Sequence, residues 1–217
     1  MKKIIISPSI LGCDFNNLHN EIKRIEAVGA SWLHLDVMDG HFVPNTTFGN
    51  LFIRSFSANT KLIKDVHLMI SNPGKMIKEY AEAGSDYLTF HYEAVKEEDI
   101  KKIIDEIHSY KMKAGISIKP RTDVSKIVPY LKDLDIVLLM SVEPGRGGQS
   151  FLTSTLDKIS FLRQEIDKLG LKTLISVDGG INDKTAKDCV KAGVDVLVAG
   201  TYLFADNNFE ERYQKLL

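Results

Sequence analysis

His34 and Asp36 stand two residues apart in the segment WLHLDVMDG, and His67 and Asp178 sit in two further short apolar runs, DVHLMI and SVDGG. Successive side chains of a strand alternate faces, so positions two apart point the same way. A strand that turns an imidazole and a carboxylate inward must satisfy them with a metal, a partner or a substrate. Gathered around one cavity, the two carboxylates would repel each other and be costly to strip of water. A divalent cation removes both penalties. The four residues are therefore expected to form a two-His, two-carboxylate metal site. That donor set suits Zn²⁺, Fe²⁺, Mn²⁺ or Co²⁺ and does not by itself choose among them.

Strands must carry these residues. Short apolar runs recur at residues 4–6, 32–35, 62–69, 87–90, 114–118, 136–140, 174–177 and 194–199. Their near-continuous apolar character suits strands buried on both faces of a parallel sheet. Helical patterns separate them. Leu18, Ile22 and Ile25 mark one face of a helix over 16–28 that stops at Gly29. Asn72 and Pro73 read as an N-cap and first helical position, with Gly84 closing that helix. Ile100, Ile103, Ile104 and Ile107 form a stripe at helical spacing. Val124, Ile127, Val128 and Leu131 repeat it, and Pro129 should kink that helix or split off its last turn. Leu156, Ile159, Leu162 and Ile166 give the next stripe, Asn182 caps a helix ending at Gly193, and 209–217 reads as a short last helix.

Eight such units of about 27 residues each imply one (β/α)8 TIM barrel domain over 1–217. The rival, an open doubly wound sheet, should carry a GxGxxG after its first strand and gather its polar residues at one switch point. Neither feature is in the sequence.

Barrels of this kind place functional groups at the C-terminal strand ends and the loops after them. Those positions hold Ser7, Ser9, His34, Asp36, His67, His91, Lys119, Ser141, Asp178, Gly200 and Thr201. His91 and Lys119 read as structural hydrogen-bonding residues. Gly145, Gly147 and Gly148 follow the sixth run, Gly179 and Gly180 the seventh, and Gly200 the eighth. Glycines in three consecutive loops at this end suit a backbone cradle for phosphate. Met38, Met69 and Met140 stand near three strand ends, as a polarizable lining of the reacting centre or as plain packing.

Composition bounds the partners. With 44% hydrophobic and 26% charged residues and a formal net charge of −1, nothing invites nucleic acid or an anionic membrane. No run approaches the roughly 20 apolar residues of a membrane-spanning helix. Met1, Lys2 and Lys3 followed by an apolar run resemble the start of a leader, but Pro8 and Asp14 cut that run short. Two cysteines, Cys13 and Cys189, fit a reducing cytoplasm.

The segments SPSIL, HLDVMDGHFVPN, SVEPGRGGQSF, VDGGI and VAGT, from the first strand to the last, closely resemble the ribulose-phosphate 3-epimerase family. The resemblance implies an enzyme of the pentose phosphate pathway that interconverts D-ribulose 5-phosphate and D-xylulose 5-phosphate. It places metal ligands at His34, Asp36, His67 and Asp178, and an acid/base pair at Asp36 and Asp178. It places substrate contacts at Ser9, His67, Gly145, Arg146, Gly147, Gly148, Gly179, Gly180, Gly200 and Thr201. Arg146 stands where the family commonly has an aromatic residue, and Thr201 where serine is usual.

Inverting a carbon next to a ketone needs a base on each face of a planar enediolate, hence two carboxylates. The expected partners are a small sugar phosphate, one divalent ion, no organic cofactor and further copies of the chain. Three rivals stand beside this reading, and the most distant, another phosphate-binding barrel such as an orotidine-phosphate or hexulose-phosphate enzyme, is opposed by the lack of a DxKxxD run at the second strand. A D-allulose-6-phosphate 3-epimerase would use the same site on a hexulose phosphate, and a non-catalytic sugar-phosphate binder would have no use for two opposed carboxylates.

Overall fold

The computed structural model describes residues 4–217. Met1, Lys2 and Lys3, the start of the leader-like run, lie outside them. The strands are β1 (Ile5–Pro8), β2 (Trp32–Met38), β3 (Ile63–Met69), β4 (Tyr87–His91), β5 (Lys113–Ile118), β6 (Ile136–Met140), β7 (Leu174–Asp178) and β8 (Val196–Ala199). Every pairing is parallel, in the order β1-β8-β7-β6-β5-β4-β3-β2. A parallel bridge between Ser9 and His34 joins the two ends of that order, so the sheet is a (β/α)8 barrel whose seam runs between β1 and β2.

The strand runs read as continuously apolar because both faces are covered. On β2, Leu33, Leu35 and Val37 point outward into one large core with the helices, while Trp32, His34, Asp36 and Met38 point inward. The outer layer consists of α1 (Leu18–Ala27), α2 (Asn50–Ser57), α3 (Ile77–Glu82), α4 (Glu97–Ser109), α5 (Thr155–Lys168), α6 (Thr185–Ala192), α7 (Thr201–Phe204) and α8 (Phe209–Leu216). The α4 stripe Ile100, Ile103, Ile104 and Ile107 is buried as its spacing requires. Asn182 does cap: its Oδ1 accepts from the Lys184 and Thr185 backbone N–H groups at 2.9 and 3.1 Å. Asn72 precedes a 3₁₀ turn at Pro73–Lys75 without a capping side-chain bond, and α3 starts after it.

Two segments depart from the sequence reading. The stripe around Pro129 is not a kinked α-helix but a 3₁₀ segment, Val124–Asp133, that still buries Val124, Ile127 and Leu131. Proline removes an N–H and clashes with the carbonyl four residues back, so the tighter winding carries the crossover. The sequence shows no helical period over α2 and α7. They are short, and α2 buries only Ile53 and Phe56, too few positions to show a period.

Inside the barrel the layers change character along the axis. Trp32, Ile136 and Val196, packed against Ile5, Ile63, Tyr87 and Leu174, plug the N-terminal end. Toward the C-terminal end the inward positions of β2–β5 turn polar, with His34, Asp65, His67, Thr89, His91 and Ser117 all buried, while Leu138, Met140 and Val198 on β6 and β8 stay apolar. The plug closes the floor beneath these groups. Trp32→Ala should lower the unfolding free energy by about 3–5 kcal/mol, read from urea denaturation.

Candidate functional site

Alternation on β2 sends His34 and Asp36 to the inside, and β3 lies in register so that Asp36 pairs with His67 and His34 with Asp65. Asp178 ends β7, three places round the ring from β2 through the β1 seam. The ligand atoms of His34, Asp36, His67 and Asp178 lie within 4.8 Å of one another. The structure thus brings together the four residues that the sequence singled out.

Asp36 is the centre of this group. Its Oδ1 faces His34 Nε2 at 3.2 Å and His67 Nδ1 at 3.1 Å, and its Oδ2 accepts from the Ser9 hydroxyl at 2.7 Å. Each imidazole turns one nitrogen to the centre and the other to a backing group. Behind His34, Nδ1 meets Asp65 Oδ2 at 2.7 Å. Behind His67, Nε2 meets His91 Nε2 at 2.9 Å, and His91 Nδ1 meets Glu93 Oε2 at 3.2 Å. Three buried donors and partly buried Asp178, each imidazole backed through its second nitrogen, fit a borderline divalent cation.

The electrostatics separate the two carboxylates. Burial alone would raise the pKa of Asp36, but the charge on His34 and the hydrogen bonds from His34 and His67 outweigh it and hold Asp36 well below the usual carboxylate range. Burial, with the charge of Asp36 adding to it, pushes Asp178 up to about 7. Burial opposes a charge on His34, yet Asp36 and Asp65 raise it well above an ordinary imidazole. His67 is lowered by burial, and His91 falls to about 4 for the same reason. Glu93 drops to about 2: burial opposes this, and the bonds from His91, Thr122 and Lys119 overcome it.

Above the four residues opens a cavity of about 550 Å³. Ser9, Asp36 and Asp178 reach its wall, as do Met38 and Met140. Met69 is buried behind Met38, packed with Val43. Gly145, Arg146, Gly147 and Gly148 line one side, Gly179 and Gly180 the next, and Gly200 and Thr201 the third. Arg146 is exposed at the rim. Gly180 has φ +61°, and a Cβ there would sit 2.5 Å from the Phe151 backbone nitrogen, so only glycine fits. The Ser141 hydroxyl holds the end of β7, donating to the carbonyls of Asp178 and Gly179 at 2.8 and 2.6 Å. Asn45 ties the loop after β2 to that after β6 through Gly145 O at 2.8 Å.

Asp65, Glu93 and Asn45 escaped the sequence reading. Asp65 was within reach, because it stands two residues before His67, on the same strand face. Ser7 and His91 are buried inside the barrel. The Lys119 ammonium lies 4.1 Å over the Phe42 ring.

A family model described as Ribulose-phosphate 3 epimerase family matches residues 5–204. A ribulose-phosphate 3-epimerase of Bacillus subtilis is 45% identical over 206 residues, covering 94% of this chain and 94% of that protein. One of Chlamydia muridarum is 42% identical over 221 residues, covering 100% of this chain and 96% of the relative. Among solved structures, 3-hexulose-6-phosphate synthase from Salmonella typhimurium superposes with a TM-score of 0.69 at 15% identity, covering 98% of this chain and 96% of that one, a likeness of fold alone.

A cation at this centre must displace protons, since ligating imidazoles are neutral and ligating carboxylates ionised. His34 is raised and Asp178 stands near 7, so both hold protons on the acid side of neutrality. Zn²⁺ or Co²⁺ titrated into chelator-treated protein should bind at one equivalent. Its affinity should rise with pH through 7 and fall as pH drops below it, as followed by calorimetry.

Proposed function

The chain belongs to the ribulose-phosphate 3-epimerase family, and from that premise we propose that it interconverts D-ribulose 5-phosphate and D-xylulose 5-phosphate by moving a proton at C3. The observation that carries the reading is the meeting of two carboxylates, buried Asp36 and partly buried Asp178, at one centre on the cavity wall.

A divalent ion, zinc by first choice, would be held by His34, Asp36, His67 and Asp178, and when bound would supply positive charge to the oxygens of a developing enediolate. The chain's own groups do the rest. One carboxylate, ionised, removes the C3 proton. The other, protonated, returns one from the opposite face, and the two exchange roles with the direction of reaction. Asp36 on β2 and Asp178 on β7 both reach the cavity wall, from separate strands. Ser9 donates to Asp36 Oδ2, which orients that carboxylate. Met38 and Met140 form an apolar wall that limits water near a carbanion.

The phosphate belongs against the three glycine loops, where Gly145, Gly147, Gly148, Gly179, Gly180, Gly200 and Thr201 allow close approach of backbone N–H groups. Binding energy there acts remotely from C3. His67 contributes behind Asp36, and Arg146 adds a cation at the cavity rim.

One barrel domain spans the chain in this reading, in the cytoplasm and as a homo-oligomer. Two free cysteines support the reducing setting. Among the described residues no helix is long and apolar enough to cross a membrane.

A coupled assay on ribulose 5-phosphate, with metal content measured on the same sample, tests the reading. Turnover should be lost on chelation and return with a divalent metal. A hexulose 6-phosphate should be the poorer substrate by kcat/KM, and the reverse order would assign the enzyme to the longer sugar. Asp36→Asn and Asp178→Asn should each cut kcat by at least about 10²–10⁴-fold. Near-normal turnover in either variant contradicts the two-base assignment. Gly180→Ala forces the loop off Phe151 and should raise KM more than it lowers kcat.

A further inference from the structure

We propose that Glu93, acting through His91, fixes the tautomer in which His67 presents its Nδ1 lone pair to a divalent cation. The proposal rests on the metal-centre reading above and extends it to two residues that touch neither the cation nor the substrate.

The argument is a count of protons along a buried chain. His67 turns Nδ1 toward Asp36 Oδ1 at 3.1 Å and Nε2 toward His91 Nε2 at 2.9 Å. A neutral imidazole carries one proton, and a nitrogen that ligates a metal cannot hold it. With Nδ1 as the ligand, the proton sits on Nε2 and has to be donated. The atom facing it is another imidazole nitrogen, which can donate or accept according to its own tautomer. Only one arrangement is satisfied: His91 Nε2 accepts, and the proton of His91 sits on Nδ1. That N–H meets the carboxylate of Glu93 at Oε2, 3.2 Å away.

Glu93 is itself anchored. Its Oε1 accepts from the backbone N–H of Lys119 at 2.8 Å and from the Thr122 hydroxyl, both in the loop after β5. A peptide N–H can only donate, so the group at that position must accept. The His91 ring is fully buried between the rings of His67 and Phe42, at centroid distances of 4.9 and 4.8 Å. The chain is therefore directional, with each N–H pointing away from the cation. His34 meets the same need in one step, through Asp65. Glu93 and His91 are positioning residues.

Glu93→Gln keeps the shape and reverses the outer donor. The Lys119 N–H retains the amide oxygen at the Oε1 position, which leaves the NH₂ group facing His91 Nδ1. His91 must then accept at Nδ1 and carry its proton on Nε2. That in turn forces the His67 proton onto Nδ1, where the cation should bind. The full-length variant should bind Zn²⁺ about 10- to 100-fold more weakly than the parent in competition with a chromophoric chelator. The visible spectrum of its Co²⁺ form should change, while the melting midpoint without metal does not fall below the parent value, because a proton on His67 Nδ1 can donate to Asp36. Equal Zn²⁺ affinity in the two proteins overturns the relay, as does a loss of affinity that tracks an equal loss of metal-free stability. Nitrogen-15 NMR of the zinc-loaded parent needs no variant. It should find protons on His67 Nε2 and His91 Nδ1, with a scalar coupling across the N–H···N bond; a proton on His91 Nε2 contradicts the proposal. A parent protein that takes up no Zn²⁺ sinks the metal centre itself, a result distinct from unchanged affinity in the variant.

Discussion

A carboxylate buried at the centre of a barrel is the constraint from which the rest of this structure follows. Asp36 is 4% exposed, and an isolated charge so placed would cost several kcal/mol. Two imidazoles and a hydroxyl surround it, and each imidazole requires a partner behind it. The first ring of groups thereby dictates a second, Asp65 behind His34 and His91 behind His67. Glu93 closes the longer branch. Satisfying one charge has filled the β2–β4 side of the upper barrel interior with polar side chains, while Leu138, Met140 and Val198 keep the β6–β8 side apolar.

The barrel makes this affordable by dividing labour between the faces of its strands. Outward residues such as Leu33, Leu35, Val66 and Leu68 join the helices in one continuous apolar core. Inward residues are thereby released from stability duty at the C-terminal end, while Trp32 and its neighbours plug the other end. The seam strengthens the same point. β1 and β2 meet there through the single bridge Ser9–His34, and the Ser9 hydroxyl also binds Asp36. Closure of the sheet and orientation of the central carboxylate depend on the same residue.

Much of this was legible in the sequence because period and burial coincide in it. Alternation on β2 predicts that His34 and Asp36 share a face, and they do. The eight apolar runs lie on the eight strands with no end more than three residues away. What escaped has a physical cause in each case. The segment around Pro129 shows a helical stripe, yet the stripe does not reveal that the backbone winds as a 3₁₀ helix. The α2 helix buries two side chains, fewer than a period needs. Glu93 lies just beyond β4, and its role depends on β5-loop donors 26 and 29 residues away, a contact that no local pattern encodes. Met38, Met69 and Met140 look equivalent in sequence, but only Met38 and Met140 reach the cavity wall.

Two acids at one centre, Asp36 and Asp178, make a definite statement about where the product's proton comes from. Ribulose 5-phosphate labelled with deuterium at C3, converted in ordinary water under single-turnover conditions, tests it most directly. The substrate's deuteron should remain on one carboxylate while the other delivers a solvent-derived proton, so the xylulose 5-phosphate formed should carry no label at C3. Product that retains the deuterium would mean that one group removes and returns the same nucleus, and the opposed-carboxylate account would be wrong.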